Sequence, residues 1–132
     1  MTHDAKGGKP MGHYHEVSAE IGAPYRELRE LVPDVIAGYA ALHRAAMGDG
    51  ALPSLHKELI ALAIAVTREC DGCIASHARG AVRRGATRAQ VAETIGVAIL
   101  MNGGPGTVFG PRALAAFDEF STDAAEGGAP AR

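Results

Sequence analysis

The sequence is poor in aromatic residues. It has no tryptophan, three phenylalanines and three tyrosines among 132 residues, against 26 alanines. Aromatic and β-branched residues favour strands, whereas alanine is the strongest helix former. The composition therefore argues against a sheet-based fold. It predicts an all-α protein whose helices approach one another closely.

Charge of one sign and long apolar runs are also lacking. The formal net charge is -2, which removes the main argument for nucleic acid or an anionic membrane surface as a partner. Apolar stretches such as residues 60–66 are far shorter than the roughly 20 residues that span a bilayer. The first ten residues lack the apolar segment of a signal peptide. We therefore expect a cytoplasmic protein with neither nucleic acid nor membrane as a partner.

Two polar segments frame the chain. Residues 1–13 are polar with several glycines and a proline, and residues 121–132 are mostly small residues with few large apolar side chains. We predict a flexible leader and a disordered tail at these places. Residues 14–120 carry apolar residues at helical spacing in six segments, which predicts a single-domain bundle of about six helices.

Several local signals mark the predicted helices. Gly22 and Pro24 are expected to interrupt the first helix. Ser54 follows Pro53 and is the expected N-cap of the third helix. Gly85 is expected to end the fourth helix, and the stretch from Thr87 predicts a capping box at the start of the fifth.

A Cys-x-x-Cys pair, Cys70 and Cys73, lies near the start of the predicted fourth helix. Residues three apart on a helix have Cβ atoms about 5–6 Å apart, and a disulfide needs Cα atoms about 4.4–6.8 Å apart. The pair could thus open and close a disulfide with little backbone movement. Unpaired N–H groups at a helix N-terminus also favour a thiolate.

Two further residues could exchange protons with this pair. His77 follows Cys73 by four residues, so it lies one turn on along the same helix face. It could accept a thiol proton or hold the thiolate as an ion pair. Glu58 belongs to the preceding helix. If the two helices pack side by side, its carboxylate could orient His77 or relay protons.

Spacing alone leaves alternatives open. The pair could be two inert buried thiols. It could also bind zinc with His77, although zinc takes four ligands, and the fourth would have to be Glu58, His43 or His56. His13 and His15 could ligate a metal, but they lie beside the predicted leader.

At these residues the sequence resembles the alkylhydroperoxidase D-like branch of the carboxymuconolactone decarboxylase superfamily. The resemblance runs from about residue 52 to residue 120. It includes Lys57-Glu58-Leu-Ile-Ala-Leu-Ala, Cys70-x-x-Cys73-Ile-x-x-His77, Gly85-Ala-Thr-Arg88 and Val97-Ala-Ile-Leu-Met-Asn-Gly-Gly-Pro105. The spacing from the glutamate through both cysteines to the histidine is much more specific than the cysteine pair alone.

The resemblance implies an all-α fold and a thiol-dependent peroxidase. Cys70 and Cys73 would reduce a hydroperoxide, with Glu58 and His77 as a proton relay. Cys73 would be the thiol nearest the relay, and Cys70 its disulfide partner nearer the surface. A dithiol or lipoyl-type reductant would restore the pair, and neither an organic cofactor nor a metal is needed. Short members of this kind form homo-oligomers, often trimers or hexamers.

The chain departs from the family pattern at one position. The relay of the best-known members contains a histidine immediately before the second cysteine, where this chain has Gly72. Two other functions stay open: a decarboxylase-type enzyme acting on a lactone acid, and a non-enzymatic redox-sensing or zinc-binding module. Met101, Val108 and Phe109 are candidates for subunit contacts or, equally, for the core.

Overall fold

A computed structural model describes residues 12–127 and contains six α-helices and no strand in that range. The helices are α1 (His13–Leu31), α2 (Pro33–Met47), α3 (Ser54–Thr67), α4 (Asp71–Arg83), α5 (Arg88–Asn102) and α6 (Gly104–Glu126). The predicted all-α bundle is therefore confirmed. None of these helices is both long enough and apolar enough to cross a membrane.

The core lies among α3, α4, α5 and α6, and much of it is alanine. The fully or nearly fully buried alanines are Ala65, Ala75, Ala78, Ala81, Ala98, Ala113 and Ala116. Helix α6 also approaches α5 through glycine: a Cβ on Gly110 would lie 2.7 Å from Cγ2 of Ile95. Small residues at the contacts thus let the helices pack closely, as the composition predicted.

Helix α1 is continuous, so the predicted interruption at Gly22 and Pro24 is wrong. Proline removes one helical N–H, which leaves the carbonyl of Glu20 without its usual donor. This part of α1 is exposed, and water can satisfy that carbonyl. Gly22 is tolerated in a helix interior at a cost of about 1 kcal/mol.

The turns follow their sequence signals with one exception. Thr87 and Gln90 form the predicted capping box, and Gly85 follows α4 with φ 83°. Ser54 is the first residue of α3 rather than its N-cap, which corrects the prediction. Its N–H donates to Oδ1 of Asp49 at 2.7 Å, and its hydroxyl donates to the carbonyl of Met47 at 2.7 Å.

The bundle extends past the predicted end of the domain. Helix α6 runs to Glu126, so the predicted tail over residues 121–132 begins inside a helix. His15 on α1 contacts Asp123 at this end of α6, and the buried Phe120 lies beside it. Of the predicted leader, residues 1–11 lie outside the described residues, as do residues 128–132 of the tail. Helix α1 begins at His13.

Helix α2 has no buried residue. Among residues 12–127 its main contacts are with α1 and α3, and large apolar side chains on it are exposed. The large exposed apolar residues from the end of α1 through α2 are Leu28, Leu31, Val32, Val35, Tyr39 and Leu42. A helix with this pattern is held to the rest of the described chain by few side chains.

Candidate functional site

The two cysteines are joined at the start of α4. Cys70 and Cys73 form a disulfide with a Cα–Cα distance of 5.2 Å, inside the usual range. Cys70 is the N-cap residue of α4, and its Sγ accepts the N–H of Cys73 at 3.2 Å. The helix therefore directs a backbone donor at the Cys70 sulfur, an arrangement that stabilises a thiolate there after reduction.

A strained turn brings the chain into this helix. The N–H of Glu69 donates to the carbonyl of Val66, and the N–H of Cys70 donates to the carbonyl of Ala65. This is the Schellman motif that ends α3, and its left-handed position is normally glycine. Here Glu69 occupies it with φ 54°. A non-glycine residue in this region costs roughly 1–2 kcal/mol, and it lies directly before Cys70.

Glu58 and His77 form the pair that the spacing predicted. Nδ1 of His77 lies 2.9 Å from Oε2 of Glu58 across the contact between α3 and α4. Glu58 is 7% exposed, which is unusual for a glutamate, and His77 is its one hydrogen-bond partner among the described residues. The carboxylate fixes the orientation of the imidazole and leaves Nε2 free for chemistry.

Gly80 makes room for this pair. A Cβ at position 80 would lie 2.5 Å from Cδ and from Oε2 of Glu58. Cys73, His77 and Gly80 follow one another by four and three residues, so they share one face of α4. Sequence reasoning missed Gly80, because a glycine inside a helix gives no hint of which side chain fills the space above it.

A small cavity of about 220 Å³ lies where this face meets α3. We call it the sulfur pocket; its lining residues are Ala61, Ile64, Ala65, Arg68, Cys73 and His77. Cys73 is exposed, whereas Cys70 is only partly exposed. The expectation that Cys70 lies nearer the surface is therefore wrong. As the N-cap residue, Cys70 tucks against the first turn of α4, while Cys73 projects from that turn into the pocket.

A second cavity of about 330 Å³ lies on the other side of Glu58. We call it the polar pocket; its lining residues are His43, Glu58, Ser76, Gly80, Arg83 and Arg84. His43 comes from α2, and its ring is stacked on that of His77 with centroids 6.4 Å apart and planes 16° apart. The sequence indicated only a zinc-ligating role for His43. A contact between helices that are far apart in the chain leaves no pattern among neighbouring residues.

Gly72, the residue immediately before Cys73, lies on a different face of α4 from Cys73 and His77. It lines a third cavity with residues of α1, including Ser18 and Ile21, and a Cβ on it would lie 3.0 Å from Cδ1 of Ile21. Neither Cys73 nor His77 lines that cavity.

An anchor from α1 holds the start of α4. Tyr14 is 3% exposed, and its hydroxyl donates to Oδ1 of Asp71 at 3.1 Å. Arg112 on α6 lies 3.7 Å from the other oxygen of Asp71. Burial, and then the charge of Asp71, raise the pKa of the Tyr14 hydroxyl far above its usual value. Asp71 lies between the cysteines, so this anchor fixes the turn that carries them.

The metal alternatives find no support in the positions of their residues. Among residues 12–127, no three His, Cys, Asp or Glu side chains are grouped as a metal site would need. His15 contacts Glu119 and Asp123, whereas His13 packs its ring edge-on against Tyr14. His56 is exposed at the start of α3.

Comparison with known proteins gives one consistent result. The sequence profile of the carboxymuconolactone decarboxylase family matches residues 33–121, which include α2 to α5 and most of α6. The crystal structure of a carboxymuconolactone decarboxylase family protein from Legionella pneumophila, in its apo form, superposes with a TM-score of 0.80 at 40% identity. That match covers 82% of this chain and 96% of the Legionella chain.

Two curated proteins are also similar in sequence to this chain. An uncharacterized protein of Cupriavidus necator is 41% identical over 99 residues, which is 75% of this chain and 88% of the relative. Uncharacterized protein 4 in the cox locus of Paracoccus denitrificans is 42% identical over 81 residues, 61% of this chain and 73% of the relative. Neither of these names assigns an activity.

Proposed function

The chain belongs to the carboxymuconolactone decarboxylase family, and from that premise we propose that it is a thiol-dependent peroxidase. Its substrate would be an organic hydroperoxide, reduced by Cys70 and Cys73. The single observation that carries the proposal is the shared cavity: a redox-active sulfur, that of Cys73, and an oriented imidazole, that of His77, line one small pocket. The apolar lining from α3 favours a substrate with an apolar body.

The first step is attack by Cys73, which is the exposed sulfur and the one in the pocket. The Cys73 thiolate forms a bond to the terminal peroxide oxygen, the O–O bond breaks, and an alkoxide leaves. The relay, through His77, donates a proton to the alkoxide and so releases the alcohol. Cys73 is then a sulfenic acid.

The second step closes the disulfide. The Cys70 thiolate, stabilised by the N–H of Cys73, attacks the sulfenic sulfur, and hydroxide leaves and takes a proton to become water. One hydroperoxide and two thiols thus give one alcohol, one water and the Cys70–Cys73 disulfide. A dithiol or lipoyl-type reductant then returns two electrons and two protons by exchange. Because each cycle needs this reduction, we propose that the protein works in the cytoplasm.

We also propose that the protein works as a homo-oligomer, either a trimer or a hexamer. The exposed apolar residues of α2 support this, as do Met101 and Val108, which are 77% and 54% exposed. Phe109 instead packs against the core and under the Arg112 guanidinium. Sedimentation equilibrium of the full chain tests this assembly, and a monomer at high concentration would contradict it.

The test of the function is the intact mass of the reduced protein after brief exposure to cumene hydroperoxide. We expect the wild type to lose both thiol hydrogens. Cys70→Ser should gain one oxygen on Cys73, which dimedone traps, whereas Cys73→Ser should stay unreacted. A wild type that does not react would contradict the proposal. Turnover of a lactone acid that survives replacement of both cysteines by serine would favour the decarboxylase alternative.

A further inference from the structure

The relay lies between two cavities with different linings. His77 lines the sulfur pocket and is hydrogen-bonded to Glu58, and Glu58 lines the polar pocket. The carboxylate and the imidazole therefore form a bridge across the contact between α3 and α4. One end of the bridge faces the sulfur, and the other faces a cavity that contains no sulfur.

The sulfur pocket and the polar pocket cannot have the same role during turnover. An organic hydroperoxide that fills the sulfur pocket packs against Ala61, Ile64 and Ala65 and displaces water from it. While that pocket is occupied, His77 is closed off from bulk water on the substrate side. Any proton that the relay exchanges with bulk water during that time must pass through the polar pocket.

Few groups in the polar pocket can carry a proton near neutral pH. Arginine and serine side chains seldom act as general acids or bases in this pH range. Of the side chains that line the cavity, Glu58 and His43 are of the types that carry protons in general acid–base steps, histidine most often.

His43 is placed to connect Glu58 with solvent. It is exposed, its ring faces that of His77 at 6.4 Å, and it lines the same cavity as the carboxylate. The charged groups that share the cavity with it are Glu58 on α3 and Arg83 and Arg84 on α4.

We propose that His43 is the proton-exchange residue of this site, carrying protons between bulk water and the Glu58–His77 pair through the polar pocket. This inference rests on the proposed peroxidase function and deepens it. It also gives a role to an imidazole outside the Cys-x-x-Cys motif, in a chain that has Gly72 rather than a histidine immediately before Cys73. The position comes from α2, so the motif itself could not reveal it.

The test is the buffer dependence of turnover. Steady-state reduction of cumene hydroperoxide with dithiothreitol is measured near neutral pH in dilute buffer, and again with added imidazole. In dilute buffer we expect His43→Gln to turn over about tenfold more slowly than the wild type. Free imidazole can enter the polar pocket and replace the lost ring, so it should restore most of the rate. His56→Gln, an exposed histidine on α3, is the matched control and should behave as the wild type.

Each other outcome has a distinct meaning. If His43→Gln equals the wild type in dilute buffer, the inference is overturned and the peroxidase function stands. If the rate falls but imidazole does not restore it, His43 has only a structural role and the inference is again overturned. If the wild type itself shows no turnover, the proposed function fails first, and the inference fails with it.

Discussion

The turns at the two ends of α4 use the same backbone motif with different residues. Each preceding helix ends in a Schellman pattern, with Gly85 in the left-handed position at one turn and Glu69 at the other. Glycine adopts that conformation freely, whereas glutamate is strained in it. The strained turn leads directly into Cys70. The relaxed turn leads into the capping box of α5, where the structure shows no chemistry.

The two ends also differ in how they are held. After Gly85, the capping box of Thr87 and Gln90 satisfies the backbone with residues three apart. The cysteine end depends instead on Tyr14 and Arg112, which reach Asp71 from other helices. The backbone at the Gly85 end is thus satisfied locally, and Arg88 adds a contact to Asp118 on α6. At the cysteine end, contacts from other helices hold Asp71, and they can compensate for a strained turn.

The largest effect is expected from Gly80→Ala, a change within α4 that should lower hydroperoxide turnover far more than it changes the free energy of unfolding. Its Cβ would lie 2.5 Å from the Glu58 carboxyl and push it away from His77. We expect hydroperoxide turnover to fall about tenfold or more, because general acid–base steps contribute about 10²–10⁴ in rate. The free energy of unfolding should change by only about 1 kcal/mol, because the helix preference of alanine opposes the loss of the buried Glu58–His77 contact.

Gly96→Ala is the control for that experiment. Gly96 lies inside α5 with nothing within 4 Å of an added Cβ. It should gain up to about 1 kcal/mol in urea denaturation while keeping its turnover. Full turnover in Gly80→Ala would contradict the role that we give to the Glu58 position.

The second prediction concerns the contact from α1 that holds the cysteine end of α4. Tyr14→Phe removes a buried hydrogen bond to a carboxylate, and we expect the free energy of unfolding to fall by about 1.5 kcal/mol or more. The raised pKa of Tyr14 adds a pH dependence. Below about pH 10 both states keep the proton. Above it the unfolded chain loses the proton first, so stability falls as pH rises.

Tyr14→Phe should remove that alkaline component, as measured by urea denaturation at several pH values between about 8 and 11. Tyr39→Phe, on an exposed tyrosine of α2, should leave both stability and its pH dependence unchanged. An unchanged alkaline slope in Tyr14→Phe would show that another group causes it.

The smallest effects are expected from exchanging the residue types of the two turns. Gly85→Ala should lower the free energy of unfolding by about 1–2 kcal/mol, since it puts a Cβ in the left-handed region. Glu69→Gly should raise it by about 0.5–1 kcal/mol, because relief of strain exceeds the added freedom of the unfolded chain. Effects of the same sign in equilibrium unfolding would contradict the comparison between the two turns.

The sequence predicted what depends on local spacing. The six helices, the capping box at Thr87 and the glycine after α4 follow from residues within a few positions of one another. The distance from Cys70 to Cys73 also follows from helix geometry alone. The contact between Glu58 and His77 was an expectation conditional on packing, and α3 and α4 do lie side by side.

The features that the sequence did not predict depend on distant contacts. His43 reaches His77 only because α2 packs against α3. Tyr14 reaches Asp71 across 57 positions of the chain. Ser54 was predicted to be an N-cap, yet it is the first residue of α3, and its N–H donates to Asp49 five residues earlier. Periodicity carries no information about such pairs, because tertiary packing selects them after the helices have formed.

The sparse packing of α2 has a consequence for the dynamics of the site. Since α2 buries no side chain in the described chain, we expect it to open locally at a low free energy. Its amide hydrogens should exchange with solvent before those of α3 and α4. His43 is part of α2, so each opening event would separate His43 from the Glu58–His77 pair. A second subunit that covered Val35 and Leu42 would slow this breathing, and catalytic rate per chain would then rise with protein concentration.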